Sequence, residues 1–218
     1  MYTLVFDTTA SGIAVALYKD RTQMKKVEKM MEFGQAEALA VDVKKIIDDA
    51  NISFDEIGLL GVCSGPGSFT GVRAGLAFAR GLALGNTNLQ ITGVSAFDAY
   101  VRMIKPENRA FYNAVVIETK RDDYYFQLFD EKLRKISEPM ALERDEIIQR
   151  LKGHQTSFVG DGVERLLSVS SGLQIKSVEI TDMMSVEALF EGTYQKFLEK
   201  TLDFPKPLYI RGVSACAK

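Results

Sequence analysis

Seven residues, Gly65-Pro66-Gly67-Ser68-Phe69-Thr70-Gly71, join two predicted elements in the first half of the chain. They follow the apolar run 58–63, which predicts a buried strand, and precede the stretch 72–84, which predicts a helix. Glycine lets the backbone turn sharply and lets another group approach it closely, and the amides at a helix start attract anions. The segment therefore predicts either a tight structural turn, capped by Ser68 or Thr70, or a loop that meets a ligand or a partner.

The loop departs from both common phosphate-binding motifs. No Gly-Lys-Ser/Thr follows it, as a P-loop requires, and its third glycine comes one residue late for the dinucleotide fingerprint. The helix beyond it contains Gly75 and Gly81, although a glycine inside a helix costs roughly 1 kcal/mol relative to alanine. We therefore expect a close neighbour of this helix, either the protein's own sheet or a helix of another subunit.

The elements around the loop predict an α/β fold. The apolar runs 2–6 and 13–17 flank a polar turn and predict a hairpin, and a third strand is expected at 23–30. Apolar residues at helical spacing predict a helix over 35–50, and a strand at 90–94 followed by a helix near Ser95 completes the first half. Three antiparallel strands followed by alternating helices and strands is the order of a ribonuclease-H-like lobe.

The second half opens in a similar way. Segments 113–119 and 124–130 predict a second hairpin, with helices expected near 144–151 and 185–201. Proline and charge interrupt both patterns at Lys105-Pro106-Glu107-Asn108-Arg109. We therefore predict two related lobes, an N-terminal partner-binding lobe over residues 1–104 and a smaller C-terminal lobe over 110–218.

Composition and charge narrow the classes of function. The net charge of −2 lacks the basic excess of a protein that binds nucleic acid alone, so any RNA contact is expected to be shared with a partner. Two cysteines, Cys63 and Cys216, do not make a disulfide framework, which fits a reducing cytosol. Neither a signal peptide nor a membrane span is expected, because the start lacks a basic region and Arg80 interrupts the most apolar helix.

Few residues could carry chemistry. Asp7 ends the first strand and either hydrogen-bonds its own turn or, with Glu118, serves a metal-dependent nuclease or ATPase. His154 is the only histidine, which excludes a histidine-paired metal site within one chain. A self-acting peptidase would need Ser68 with His154, although nothing near His154 supports such a role.

Several segments together resemble one family. They are Gly65–Arg73, Gly75-Leu76-Ala77, Gly81-Leu82-Ala83, Phe6-Asp7-Thr8-Thr9, Gly93-Val94-Ser95 and Pro207–Arg211. This set is similar to the signature of the bacterial TsaB (YeaZ) family and extends over essentially the whole chain.

The resemblance implies an actin-like (ASKHA) fold of two lobes and a scaffold role without catalysis or cofactor. It implies a cytoplasmic heterodimer with the paralogue TsaD, which binds metal and transfers the threonylcarbamoyl group, and association with the ATPase TsaE. The product is N6-threonylcarbamoyladenosine in tRNA, which this subunit meets only through the complex. In isolation, the same surface would allow a homodimer.

The resemblance also implies functional positions. The residues that would contact TsaD are Gln35, Leu39, Val43, Gly65, Pro66, Gly67, Ser68, Phe69, Thr70, Gly71, Val72, Arg73, Gly75, Leu76 and Ala79. Asp7, Thr8 and Thr9 would be remnants of nucleotide contacts. Two departures weaken those contacts further, since Phe33-Gly34-Gln35 lacks the usual histidine and Glu118-Thr119-Lys120 replaces the usual aspartate-alanine-arginine.

Overall fold

The computed structural model describes residues 1–31, 34–168 and 172–211. They divide into two compact units. The first contains Met1–Ala99 together with Met184–Leu208, and the second contains Tyr100–Met183 together with the segment that begins at Tyr209. Within the described residues, no helix is both long enough and apolar enough to cross a bilayer.

The first unit is a five-stranded mixed sheet with helices. In chain order its elements are β1 (Tyr2–Asp7), β2 (Gly12–Lys19), β3 (Thr22–Met30), α1 (Gln35–Asp49), β4 (Ile57–Cys63), α2 (Phe69–Gly85) and β5 (Gln90–Val94). The strands are ordered β3-β2-β1-β4-β5, with β1 to β3 antiparallel and β4 and β5 parallel to β1. This arrangement confirms the strands and helices predicted for the first half.

The second unit repeats this topology. Its elements are β6 (Tyr112–Glu118), β7 (Asp123–Phe129), β8 (Met140–Glu143), α4 (Arg144–Leu151), β9 (Gln155–Val159), α5 (Val163–Leu167) and β10 (Gln174–Glu179), and α3 (Ala96–Arg102) precedes them. The order β8-β7-β6-β9-β10 matches that of the first sheet when β6 is equated with β1. The predicted hairpin and the helix at 144–151 are confirmed, whereas β8, β9, β10 and α5 were not predicted.

The core of the first unit follows from the two-residue period of its strands and the 3.6-residue period of its helices. Alternate residues of β1, Leu4 and Phe6, point to one face of the sheet. Leu39 and Val43, one helical turn apart on α1, pack on that face beside Leu76 of α2. All five side chains are buried. The apolar faces of α1 and α2 are therefore used within the unit.

Helix α6 (Val186–Leu198) packs on the first unit although it lies near the end of the chain. Phe190 stacks on Tyr18 of β2 with ring centroids 3.8 Å apart. The Lys196 ammonium donates a 2.8 Å hydrogen bond to the Gly93 carbonyl on β5. The predicted C-terminal lobe over 110–218 thus differs from the structure, because α6 buries its apolar face against β1, β2, β4 and β5.

Candidate functional site

The turn after β1 lies against the glycine loop. The Thr8 hydroxyl donates a 2.7 Å hydrogen bond to the Gly71 carbonyl, and the Ser68 amide donates a 2.8 Å bond to the Thr9 carbonyl. The Ser68 hydroxyl caps α2 by accepting a 3.2 Å bond from the Gly71 amide. Because of this cap, the helix begins at Phe69, three residues before the predicted start.

The tight packing of this turn explains two glycines. A Cβ on Gly71 would collide with the Thr8 carbonyl, and one on Gly75 would lie 2.6 Å from the Thr8 hydroxyl oxygen. Real Cβ atoms essentially never come closer than 3.0 Å to such atoms. Gly71 and Gly75 therefore face the chain's own β1 turn, which is the structural alternative given by the sequence.

The Asp7 carboxyl is enclosed at the base of this turn, with 1% of its residue surface exposed. Its Oδ1 accepts a 2.8 Å bond from the Thr9 amide and a 2.7 Å bond from the Thr9 hydroxyl. Burial raises the pKa of the Asp7 carboxyl above its usual 3.8, although these hydrogen bonds act in the opposite direction. Asp7 thus hydrogen-bonds its own turn, which is one of the two alternatives given by the sequence.

Glu118 occupies the equivalent position at the end of β6 in the second unit. Its Oε1 accepts a 2.6 Å bond from the Lys120 amide, as Asp7 accepts one from an amide two residues on. The Arg165 guanidinium donates two bonds to the Glu118 carboxylate, of 2.7 and 2.8 Å. Burial raises the pKa of the Glu118 carboxyl, but these hydrogen bonds outweigh burial and hold the pKa below 4.5.

Both carboxylates proposed for a nuclease or ATPase therefore have partners within their own unit. Among residues 1–31, 34–168 and 172–211, no group of three or more histidine, cysteine, aspartate or glutamate side chains is arranged to hold a metal ion. Of the two residues of the peptidase hypothesis, Ser68 belongs to the first unit and His154 to the second. The His154 ring lies 4.6 Å from the ring of Tyr112, measured between centroids.

The residues predicted to contact TsaD fall into two groups. The first group is enclosed by the chain's own fold and comprises Leu39, Val43, Gly65, Pro66, Gly71, Val72, Gly75, Leu76 and Ala79. The second is exposed or half-buried and comprises Gln35, Gly67, Ser68, Phe69, Thr70 and Arg73. The prediction that the first group touches a partner needs correction, because these positions form the inner faces of α1 and α2 and the seat of the β1 turn.

The resemblance implies that helices 35–50 and 72–84 pack against TsaD, and their outer faces contain apolar residues that are not among the individual contacts given above. Leu84 is 87% exposed and Val41 is 65% exposed. Ala77 and Gly81 are also exposed, and among residues 1–31, 34–168 and 172–211 no heavy atom outside the nearby backbone of α2 lies within 4 Å of a Cβ built on Gly81. Arg73, Ala77 and Gly81 recur every four residues, a spacing that places them on one helix face. We call the exposed residues Ala40, Val41, Phe69, Arg73, Ala77, Gly81 and Leu84 the α1–α2 surface.

The strand order repeated in the two units is that of an actin-like (ASKHA) fold. The solved structure of YeaZ from Pseudomonas aeruginosa superposes with a TM-score of 0.82 at 18% identity, covering 95% of this chain and 99% of that one, which shows the fold.

Sequence comparison defines the family. The profile of TsaD, tRNA N6-adenosine threonylcarbamoyltransferase, matches residues 32–168. The tRNA threonylcarbamoyladenosine biosynthesis protein TsaB of Escherichia coli K12 is 29% identical over 230 residues, covering 100% of this chain and 98% of the relative. TsaB of Haemophilus influenzae is 24% identical over 226 residues, covering 95% and 92%. The chain belongs to the TsaD family and, within it, to the TsaB (YeaZ) group, which confirms the resemblance.

Proposed function

We propose that this chain is a non-catalytic subunit of the cytoplasmic assembly that forms threonylcarbamoyladenosine in tRNA. It pairs with TsaD through the α1–α2 surface, TsaE joins the pair, and tRNA is modified by the assembly rather than by this chain. The names of the TsaB relatives support the pathway. The single observation that carries the pairing is the open face of α2 at Gly81 and Leu84.

The chemistry of this face suits a helix from another protein. A glycine in the interior of a helix is unfavourable by roughly 1 kcal/mol relative to alanine, and within the part of the chain that the structure describes no packed neighbour of Gly81 requires it. Ala77 and Gly81 let a second helix backbone approach closely. Leu84 on the same helix and Val41 on the outer face of α1 offer apolar area that is largely exposed in the isolated chain. Association therefore depends on packing more than on charge.

The enclosed residues contribute indirectly. Leu39 and Val43 on α1 and Leu76 on α2 fix both helices on the sheet, since all three side chains are buried in one core. A rigid helix pair loses little backbone conformational entropy on binding, so only the ordering of its exposed side chains opposes association. These buried positions hold the two helices in place. Their substitution should therefore lower the free energy of unfolding more than the affinity for TsaD.

The arrangement of the carboxylates supports a role without catalysis. Asp7 is sealed beneath its turn, and Glu118 is held by Arg165. The turn residues Thr8 and Thr9 lie against the glycine loop, where an active nucleotide site would need space for phosphate.

The pairing is tested with purified TsaD and variants of the outer face. Gly81→Leu should weaken the heterodimer at least tenfold in calorimetric titration, because the leucine occupies the space that a partner backbone needs. Leu84→Ala should weaken it as well. Ile136→Ala removes an exposed apolar side chain from the second unit and serves as the matched control. Unchanged affinity in Gly81→Leu, with a normal urea unfolding curve, would remove this surface from the proposal.

The absence of catalysis is tested separately. Asp7→Asn should support full formation of threonylcarbamoyladenosine when combined with TsaD and TsaE, as measured by mass spectrometry of tRNA nucleosides. Magnesium-dependent nuclease or ATPase turnover by the purified chain, lost in Asp7→Asn, would instead establish the enzyme interpretation.

The isolated chain should use the same surface to form a homodimer. In that case Gly81→Leu yields a monomer in sedimentation analysis, and titration with TsaD dissociates the wild-type homodimer. A homodimer that persists in Gly81→Leu would place self-association on another face.

A further inference from the structure

One end of the second sheet contains a cluster of three aromatic rings. The centroids of Phe111 and Tyr112 lie 5.0 Å apart, and that of His154 lies 4.6 Å from Tyr112. His154 is also stacked with Phe111, with an interplanar angle of 16°. Phe111 is 60% exposed and His154 is exposed. The three rings therefore offer planar, partly apolar surface to solvent.

Rigid elements hold these rings. Tyr112 is the first residue of β6 and pairs with Thr156 of the parallel strand β9, while His154 immediately precedes β9. The Ser157 and Ser177 hydroxyls, on β9 and β10, both donate to the Asn108 carbonyl, at 2.6 and 3.1 Å. The segment that leads into Phe111 is thus fixed across the starts of two strands.

The segments that contain the rings, together with the start of β10, are rich in cationic residues. The Lys176 ammonium donates to the Arg109 carbonyl, which brings Lys176 to the segment that contains Phe111. Segments 105–112, 152–155 and 174–177 contain four lysines and arginines (Lys105, Arg109, Lys152 and Lys176) against one acid, Glu107. The whole chain has a net charge of −2, so this end of the sheet is more positive than the protein as a whole.

We propose that Arg109, Phe111, Tyr112, Lys152, His154 and Lys176, here called the ring surface, bind single-stranded RNA. Proteins that bind unpaired strands combine cations along the phosphate backbone with aromatic rings on which bases stack. An acidic peptide would use the cations alone and would leave the rings without a role. The inference rests on the proposed function, since an unpaired segment of tRNA is the RNA that such an assembly meets.

The exposed ring of Phe111 gives the sharpest test. A fluorescently labelled hairpin RNA with an unpaired loop is titrated with the full chain, alone and bound to TsaD, at low ionic strength. Phe111→Leu keeps an apolar side chain but removes the aromatic face, so binding should weaken roughly tenfold, whereas Phe111→Trp should bind at least as tightly as the wild type. Lys176→Gln should lower the slope of log affinity against log salt by about 1.

Controls separate stacking from charge and from folding. Ile180→Ala changes an exposed apolar residue of the same unit and should bind RNA normally. Three results would overturn the proposal. They are an affinity for a fully paired duplex equal to that for the hairpin, competition by inorganic polyphosphate as effective as that by unlabelled hairpin RNA, and wild-type affinity in Phe111→Leu. The Phe111 variants should keep full affinity for TsaD, so failure of the ring surface and failure of the pairing proposal give different results.

Discussion

The hydroxyl oxygen of Thr8 lies 2.6 Å from the point that a Cβ on Gly75 would occupy. Thr8 is in the turn after β1, and Gly75 is in the second turn of α2, so the helix can sit at this depth only if position 75 has no side chain. By contrast, a Cβ on Gly81, further along the same helix, would contact no atom of the described residues beyond the nearby backbone of α2. The two glycines therefore have opposite roles, one toward the fold and one toward solvent.

This contrast predicts opposite effects of the same substitution. Gly75→Ala should lower the free energy of unfolding by about 1–3 kcal/mol, because overpacking forces Thr8 or α2 to move. Gly81→Ala should raise it by about 0.5–1 kcal/mol through helix propensity. Urea unfolding of the monomeric chain measures both values. Equal changes in the two variants would mean that Thr8 moves aside without resistance.

Burial of Asp7 predicts that a neutral isostere stabilises the fold at neutral pH. Because the folded-state pKa lies above the unfolded value, the unfolded chain loses its proton first as pH rises through about 4. The wild type should therefore lose stability relative to Asp7→Asn from that pH upward, and the two should be equally stable below it. Urea midpoints measured from pH 3 to pH 8 test this. If the wild type were more stable than Asp7→Asn at pH 7, the folded state would require the ionised carboxylate of Asp7.

The Glu118–Arg165 pair predicts the opposite pH dependence. The folded-state pKa of Glu118 is lowered, so the pair stabilises the fold above about pH 4.5 and the effect is lost as pH falls through the folded-state pKa. Arg165→Gln should lower the free energy of unfolding by up to about 1 kcal/mol at pH 7, since the pair is partly exposed. In acid the part of this difference that comes from the ion pair should disappear, leaving only the loss of the Arg165 bond to the Asp123 carbonyl and of its contact with the Tyr124 ring.

The matched control for that variant is Arg134→Gln, which removes the partner of Asp130. Arg134 is 73% exposed, so this substitution should change stability less than Arg165→Gln at pH 7. If Arg134→Gln lowered the free energy of unfolding more than Arg165→Gln, the Glu118–Arg165 pair would not be the more stabilising of the two ion pairs.

The position of α6 predicts the behaviour of fragments. A fragment of residues 1–104 should fail to unfold cooperatively in urea, because Tyr18 and the face of β1, β2, β4 and β5 that α6 covers would be exposed to water. Joining residues 1–99 to 184–208 with a flexible linker should restore a cooperative transition by circular dichroism. Cooperative unfolding of the shorter fragment would support the boundary predicted from the sequence.

Local patterns allowed much of the fold to be predicted. Strands β1, β2 and β4 contain apolar runs with turn residues between them, and α1 shows a clear helical period, so all four were identified. Strand β10 was missed because it is largely exposed and polar, and α5 because five residues are too few to show a period. The local patterns also predicted two related lobes, and the family signature added that their fold is actin-like.

The functional surface was harder to predict because burial depends on contacts between distant residues. Thr8 and Gly71 are 63 positions apart, so nothing near the loop indicates what fills it. The signature named loop and helix positions together, and many of them proved to be internal. The four-residue spacing of Arg73, Ala77 and Gly81 was present in the sequence and could have identified the outer face of α2.

Placement of α6 in the first unit has a consequence for protein synthesis. On the ribosome, β1 to β5 emerge well before α6. One apolar face of the first sheet therefore stays exposed to solvent until nearly the whole chain has been translated. Residues 100–183 of the second unit are translated during that interval and can fold first. The first unit, although it contains the N-terminus, is then the last to complete its fold. Nascent chains stalled before residue 186 should therefore depend most on chaperones.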